Sequence, residues 1–228
     1  MAGLARLPGP PAVLSDLLEL AELQLETLLC YDGRGRMTTW NDEERNRPPW
    51  LLLLRTERGT RWRLHAELPD ALAAELSALL DAEPVPRDFA AEPGCAAALR
   101  KALRAHVEIV SEYRGPAFLL PAMTEPDPEI ELDRARLVAR LRVDGQVVAS
   151  CECARLTPRA AEAGVETGLS ARGRGFATRV VAAWARAIQD SGRLALYSTW
   201  WENAASLAVA RKLGGRCYGE DFHLDGAR

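Results

Sequence analysis

The chain has 228 residues, of which 48% are hydrophobic and 27% charged. This length and balance exclude a wholly disordered or collagen-like polymer and allow one large or two small domains, each with a real core. The net charge is −3 and the pI about 5.8, so a dedicated nucleic-acid binder is not expected. The longest apolar run, Trp50 to Leu54, is strand-sized and far short of a membrane span. No secretory pattern is read at the N-terminus, where prolines and acids interrupt any apolar stretch, and a cytoplasmic location is expected. The five cysteines are odd in number and irregularly spaced, which agrees with a reducing compartment.

Residues 1–11 read as a Pro/Gly-rich flexible arm. Leu17, Leu18, Leu20, Leu23, Leu25, Leu28 and Leu29 then predict an amphipathic helix over about 13–30. Its apolar stripe is expected to bury within the chain, with a homodimer interface as the alternative. Residues 36–49 read as a polar loop. Trp50–Thr56 and Thr60–Leu68 read as strands of a hairpin turning at Arg58-Gly59, with Trp62, Leu64 and Ala66 on one face.

Pro69–Asp81 is a predicted helix with Leu72, Leu76, Leu79 and Leu80 as its stripe, and Cys95–His106 a second, shorter one. Val107–Tyr113 and Ala117–Leu120 read as two extended pieces separated by Arg114-Gly115-Pro116. A break follows at Thr124–Glu129. Ala135–Val143 and Val147–Leu156 are strand-like and meet at Asp144-Gly145, a strong hairpin signal. Glu162–Thr167 is a third strand, followed by a loop at 168–175, a helix from Phe176 to Ser191, a strand from Leu194 to Thr199, a helix from Asn203 to Leu213 and a last strand near Cys217–Leu224. The whole reads as α+β, divided into an N-terminal region, 1–115, and a motif-bearing region, 116–228.

The chemistry concentrates in Val165-Glu166-Thr167 and the loop Arg172-Gly173-Arg174-Gly175, which opens the helix starting Phe176-Ala177-Thr178. Gly173 and Gly175 let the backbone turn tightly and approach a ligand. The free N–H groups and dipole of the first helical turn favour a pyrophosphate. Arg172 and Arg174 can add charge-assisted contacts. The bland alternative is an Arg/Gly surface loop. A phosphate-binding Gly-Lys-Ser/Thr sequence is absent, and a dinucleotide fingerprint would need a glycine where Thr178 stands. Downstream, Asn203 precedes a helix carrying Ser206 in its first turn. Asn203 can cap that helix or donate to a ligand carbonyl.

Together, Arg172-Gly173-Arg174-Gly175-Phe176-Ala177 and Asn203/Ser206 followed by Leu213-Gly214 resemble the GCN5-related N-acetyltransferase superfamily. The resemblance is specific over about 147–224. It implies a mixed, mostly antiparallel sheet flanked by helices. The residues before it would be an additional α/β segment, or a degenerate copy of the same fold.

The family's fourth strand splays from its fifth. The resemblance therefore implies that Val165 and Thr167 pair with the pantetheine arm of acetyl-CoA. Arg172 to Thr178 would hold its pyrophosphate, and Asn203 and Ser206 would flank it. It further implies direct attack of an amine on the acetyl thioester, with a carboxylate or water as base and often a tyrosine as acid.

The chain departs from the pattern at the tyrosine position, which is Ala210; Tyr197 and Tyr218 lie elsewhere. For the base, Glu162, Glu166 and Glu152 are candidates. Glu162 and Glu166 are favoured, although the family position falls nearest Ala161, so that a bulge would have to turn Glu162 to the right face. The alternative to an enzyme is a non-catalytic acyl-CoA-binding regulatory module. No metal is expected. Cys151 and Cys153 share a strand face without further ligands and read as core. Trp200-Trp201 could line an acceptor pocket or pack inward.

Overall fold

The computed structural model describes residues 16–226; the expected arm at 1–11 lies outside them. The elements are α1 (Leu17–Leu28), β1 (Leu29–Tyr31), β2 (Met37–Trp40), β3 (Leu51–Thr56), β4 (Gly59–Leu64), α2 (Asp70–Asp81), α3 (Ala96–Arg104) and β5 (Ser111–Leu119). Then follow β6 (Ile130–Asp133), β7 (Val138–Val143), β8 (Gln146–Leu156), β9 (Ala160–Thr167), α4 (Phe176–Asp190), β10 (Leu194–Ser198), α5 (Ala204–Lys212) and β11 (Arg216–Asp225). The fold is α+β, as expected. The β3–β4, β3–β11, β6–β7, β7–β8 and β8–β9 pairs are antiparallel, whereas β10 runs parallel to β9.

The described chain divides into two compact units, one of 16–117, 199–203 and 217–226, the other of 118–198 and 204–216. In the first unit the strand order is β4-β3-β11-β5. Leu51, Leu52, Leu53 and Leu54 are all fully buried, because β3 lies between neighbours and both of its faces are covered. Leu51 and Leu53 join Leu72, Leu76 and Leu80 of α2, Leu99 and Leu103 of α3, and Phe222 and Leu224 of β11 in one core cluster. α1 packs against β3 and β4. Its stripe is thus buried inside the chain. The α1 start is fixed by Asp16, whose carboxylate accepts the Leu18 N–H at 2.7 Å and the Glu19 N–H at 3.3 Å.

A buried ion network stiffens this unit. Arg55 and Glu220 pair side by side, and Glu220 also accepts from Arg114 Nε and Trp201 Nε1, both at 2.7 Å. Trp201 therefore packs inward, while Trp200 is 47% exposed.

Several elements differ from expectation. The 36–49 segment is not all loop: Met37–Trp40 forms β2 and pairs with β1. The two extended pieces around Arg114-Gly115-Pro116 are one strand, β5. It continues because the 199–203 segment bonds along it, with Thr199 N–H on the Pro116 carbonyl (3.4 Å) and Trp201 N–H on that of Arg114 (3.3 Å). Gly115 is required there, since a Cβ would collide with the Thr199 carbonyl.

In the second unit the order is β10-β9-β8-β7-β6, and β6 is a strand that the break at 124–129 concealed. α4 packs over β7, β8 and β9, with Val180, Val181, Trp184 and Ile188 fully buried. Arg179 anchors the approach to β6, holding Asp127 through two bonds of 2.7 and 2.8 Å and Glu129 at 2.5 Å.

Candidate functional site

The second unit carries most of the residues singled out in the sequence. β9 and β10 pair over only three positions, Leu194↔Ala160, Ala195↔Ala161 and Leu196↔Glu162. Beyond Glu162, β9 keeps its pairing with β8 as far as Ala149↔Thr167 but has no ladder on its β10 side. Val165 and Thr167 stand on this open stretch, both half-buried. A strand edge of this kind offers unpaired N–H and C=O groups to an extended, amide-bearing ligand.

At the end of β9 the chain makes a single 3-10 turn over Leu169–Ala171 and enters the Arg/Gly loop. Gly173 and Gly175 have φ of +75° and +80°, left-handed values that favour glycine. A Cβ at either glycine would meet nothing within 4 Å, so the loop presents bare backbone outward. Gly175 caps α4 without any side-chain bond, and no acid stands in the first turn. The N–H groups of Phe176, Ala177 and Thr178 thus begin the helix with its positive end unneutralised. Arg172 and Arg174 are exposed beside it. Arg172 Nε reaches back to the Thr167 carbonyl at 3.5 Å, and the Arg174 guanidinium lies 4.6 Å over the Phe176 ring. The residues therefore fit a pyrophosphate on charge and on space.

The two catalytic candidates are separated by their surroundings. Glu166 is exposed, opposite Ser150 on β8. Glu162 is 3% exposed and sits at the last rung before the strands part. One of its oxygens, Oε1, accepts from Ser198 Oγ at the end of β10; the other, Oε2, lies 3.6 Å from Arg155 Nη1 and has no hydrogen bond. The bulge is not in β9. It lies in β8 between Cys153 and Arg155, where Ala154 is the extra residue and Gly164 across from it leaves room. Glu152, the third acid, is exposed opposite Gly164.

Ser206 is engaged by Tyr197, whose hydroxyl lies 2.5 Å from Ser206 Oγ. Burial, chiefly, pushes the Tyr197 phenol above its ordinary value. The sequence pairs neither the Tyr197–Ser206 hydroxyls nor Ser198 with Glu162, because both pairs depend on the placement of β10. Ala210 is fully buried. Asn203 belongs to the 199–203 segment; it is exposed, directly precedes α5, and its N–H donates to the Trp200 carbonyl at 3.1 Å. Cys151 is buried and Cys153 half-buried, and desolvation raises both thiols, which disfavours the thiolate. Among the described residues no group of three or more His, Cys, Asp or Glu is placed to hold a metal, and no helix is long and apolar enough to cross a membrane.

The open strand edge of β9 is thus followed in the chain by a Gly-rich helix start that has no side-chain cap. Residues 140–220 match the family model described as GNAT acetyltransferase. Over this region the chain is similar to the GNAT acetyltransferases. A search of the curated proteins finds no match.

Solved structures similar to the chain include a GNAT-family acetyltransferase from Colwellia psychrerythraea, at 13% identity over 95% of this chain and 98% of that one, with a TM-score of 0.45. A putative GNAT-family acetyltransferase from Novosphingobium aromaticivorans is similar at 18% identity over 53% of this chain and 68% of its own, also with a TM-score of 0.45. A GCN5-related N-acetyltransferase-like protein from Streptococcus suis is similar at 15% identity over 78% and 84% of the two chains, with a TM-score of 0.44.

Proposed function

We propose that the protein transfers the acetyl group of acetyl-CoA to a primary amine. The observation that carries this reading is the parting of β9 from β10 immediately beyond Glu162, with the bare helix start of α4 following in the chain. Backbone groups of Val165 and Thr167 pair with the pantetheine arm. The N–H groups of Arg174 to Thr178 receive the pyrophosphate, with Arg172 and Arg174 adding charge. Ser206 flanks the cosubstrate. Any part that 1–115 plays as a degenerate second copy of the fold belongs to the same proposal.

In the transfer, the amine nitrogen attacks the thioester carbonyl carbon. Its proton passes to Glu162, directly or through water, the carbon–sulfur bond breaks, and coenzyme A leaves as the thiolate. Glu162 is favoured over Glu166 because its carboxylate is buried and fixed at the point where the cleft opens. The family's acid position is filled by Ala210, so the thiolate leaves without a tyrosine at that place.

The buried Ala210 also favours a second reading, a module that binds acyl-CoA without turnover. Two measurements separate the readings. The first is thermal unfolding with acetyl-CoA, coenzyme A and ATP. Ligand at ~100 times its dissociation constant stabilises by about 2.7 kcal/mol. Stabilisation by both CoA species and not by ATP is expected, and no stabilisation overturns both readings. The second is coenzyme A release from acetyl-CoA against a panel of a polyamine, an aminoglycoside, amino acids and a peptide with a free N-terminus. Release that depends on an amine supports the transferase; binding without release supports the module.

A further inference from the structure

Glu162 has two oxygens in different circumstances. Oε1 accepts the Ser198 hydroxyl, whereas Oε2 has no hydrogen bond and faces the Arg155 guanidinium at 3.6 Å. The carboxylate is nearly sealed from solvent, with its side chain 4% exposed. Buried carboxylates ordinarily fill their hydrogen-bonding capacity, and one oxygen left unfilled is costly. Ser198 is the last residue of β10, two positions past the final rung Leu196↔Glu162. It is itself half-buried. Its hydroxyl therefore spans the strands just where their backbone pairing stops.

We infer that Ser198 is a positioning residue for Glu162. By donating to Oε1 it fixes the carboxylate plane and reserves Oε2 as the oxygen that takes the proton. Arg155 supports the same arrangement by Coulomb attraction without occupying Oε2 at hydrogen-bond distance. Without the Ser198 hydroxyl the carboxylate gains rotational freedom, and Oε2 is no longer held in one orientation toward the amine. The inference rests on the reading of Glu162 as the base, and it adds a specific oxygen and a specific partner.

The test is steady-state coenzyme A release from acetyl-CoA with the panel amine giving the fastest turnover, or with water as acceptor if no amine is used, on the full chain. Ser198→Ala is expected to lower kcat by about tenfold or more while the KM for acetyl-CoA stays within about twofold. Ser198→Thr, which keeps the hydroxyl, is expected to restore kcat. In a Glu162→Gln background Ser198→Ala should cost nothing further, because the group it positions is gone.

A Ser198→Ala loss of equal size in that background overturns the inference, as does unchanged kcat in Ser198→Ala when Glu162→Gln is inactive. Full turnover by Glu162→Gln instead overturns the base assignment itself, and with it this inference. Absence of any turnover in the wild type refutes the transferase reading on which both stand. Matching unfolding temperatures of the variants confirm that the comparison is between folded proteins.

Discussion

Leu196 pairs with Glu162, and this is the last rung of the parallel ladder between β9 and β10. Five more residues of β9, Ala163 to Thr167, continue along β8 alone on their bonded side. Alternate amides of that stretch point away from β8, by the two-residue period of a strand. Hydrogen exchange should therefore be faster in 163–167 than in β8, which is paired on both sides. Acetyl-CoA is expected to slow exchange in 163–167 and at the start of α4 and to leave β8 unchanged. Exchange in 163–167 that is unaffected by saturating acetyl-CoA would remove the strand-edge contact from the proposed site.

The start of α4 allows binding and stability to be separated. Its first turn carries no acid, although an acid there stabilises a helix by about 0.3–1 kcal/mol. Ala177→Glu supplies one. The helix should gain or keep stability, while the new carboxylate repels a pyrophosphate at the same N–H groups. Acetyl-CoA affinity is expected to fall at least about tenfold, or ~1.4 kcal/mol, with an unchanged or higher unfolding temperature. Calorimetric titration checks the first and thermal unfolding the second. Equal affinity in Ala177→Glu would place the pyrophosphate elsewhere.

The sequence makes the second unit legible because its signals are local. The Asp144-Gly145 turn separates β7 from β8 and the glycine pair opens α4, as their composition predicts. The Leu-rich runs of α1, β3 and α2 likewise give element and core together. What escaped are features made by distant partners. β2 and β6 are four-residue strands whose identity comes from pairing with β1 and β7. β5 reads as interrupted because Gly115-Pro116 is a breaker in isolation, and the 199–203 segment that repairs it lies some eighty residues away. The Glu162–Ser198 pair is invisible for the same reason, and the bulge sits in β8 rather than in β9.

That repair makes Gly115 a sharp test of the first unit. A Cβ there would run into the Thr199 carbonyl oxygen and lie 2.7 Å from Tyr113 Oη, and the obstacle is backbone rather than a flexible side chain. At Gly168 the nearest atom to a Cβ is the Val148 carbonyl oxygen at 3.7 Å, an ordinary contact. Gly115→Ala should destabilise the chain by about 1–3 kcal/mol, as overpacking does, and Gly168→Ala by much less. Denaturant unfolding of the two variants side by side measures the difference. Equal stabilities would mean that the 199–203 segment does not hold against β5.

His65 sets a pH dependence in the same unit. It is 2% exposed, its Nδ1 accepts the Glu67 N–H at 3.1 Å, and its Nε2 has no hydrogen-bond partner. Burial, with the nearby Arg47 charge, lowers its pKa from the usual 6.5. The folded state thus holds His65 neutral over a range in which the unfolded chain binds a proton. Stability rises with pH wherever the unfolded state binds more protons. The contribution is complete above the unfolded value near 6.5 and is lost as pH falls from there toward the lowered folded value. One group contributes at most about 1.4 kcal/mol per pH unit in that window. Asn at this position can still accept from Glu67 but does not titrate, so His65→Asn should flatten the stability profile below pH ~6.5. Urea midpoints from pH 5 to 8 for the wild type and His65→Asn check this. Parallel profiles for the two proteins would assign the acid loss to other groups.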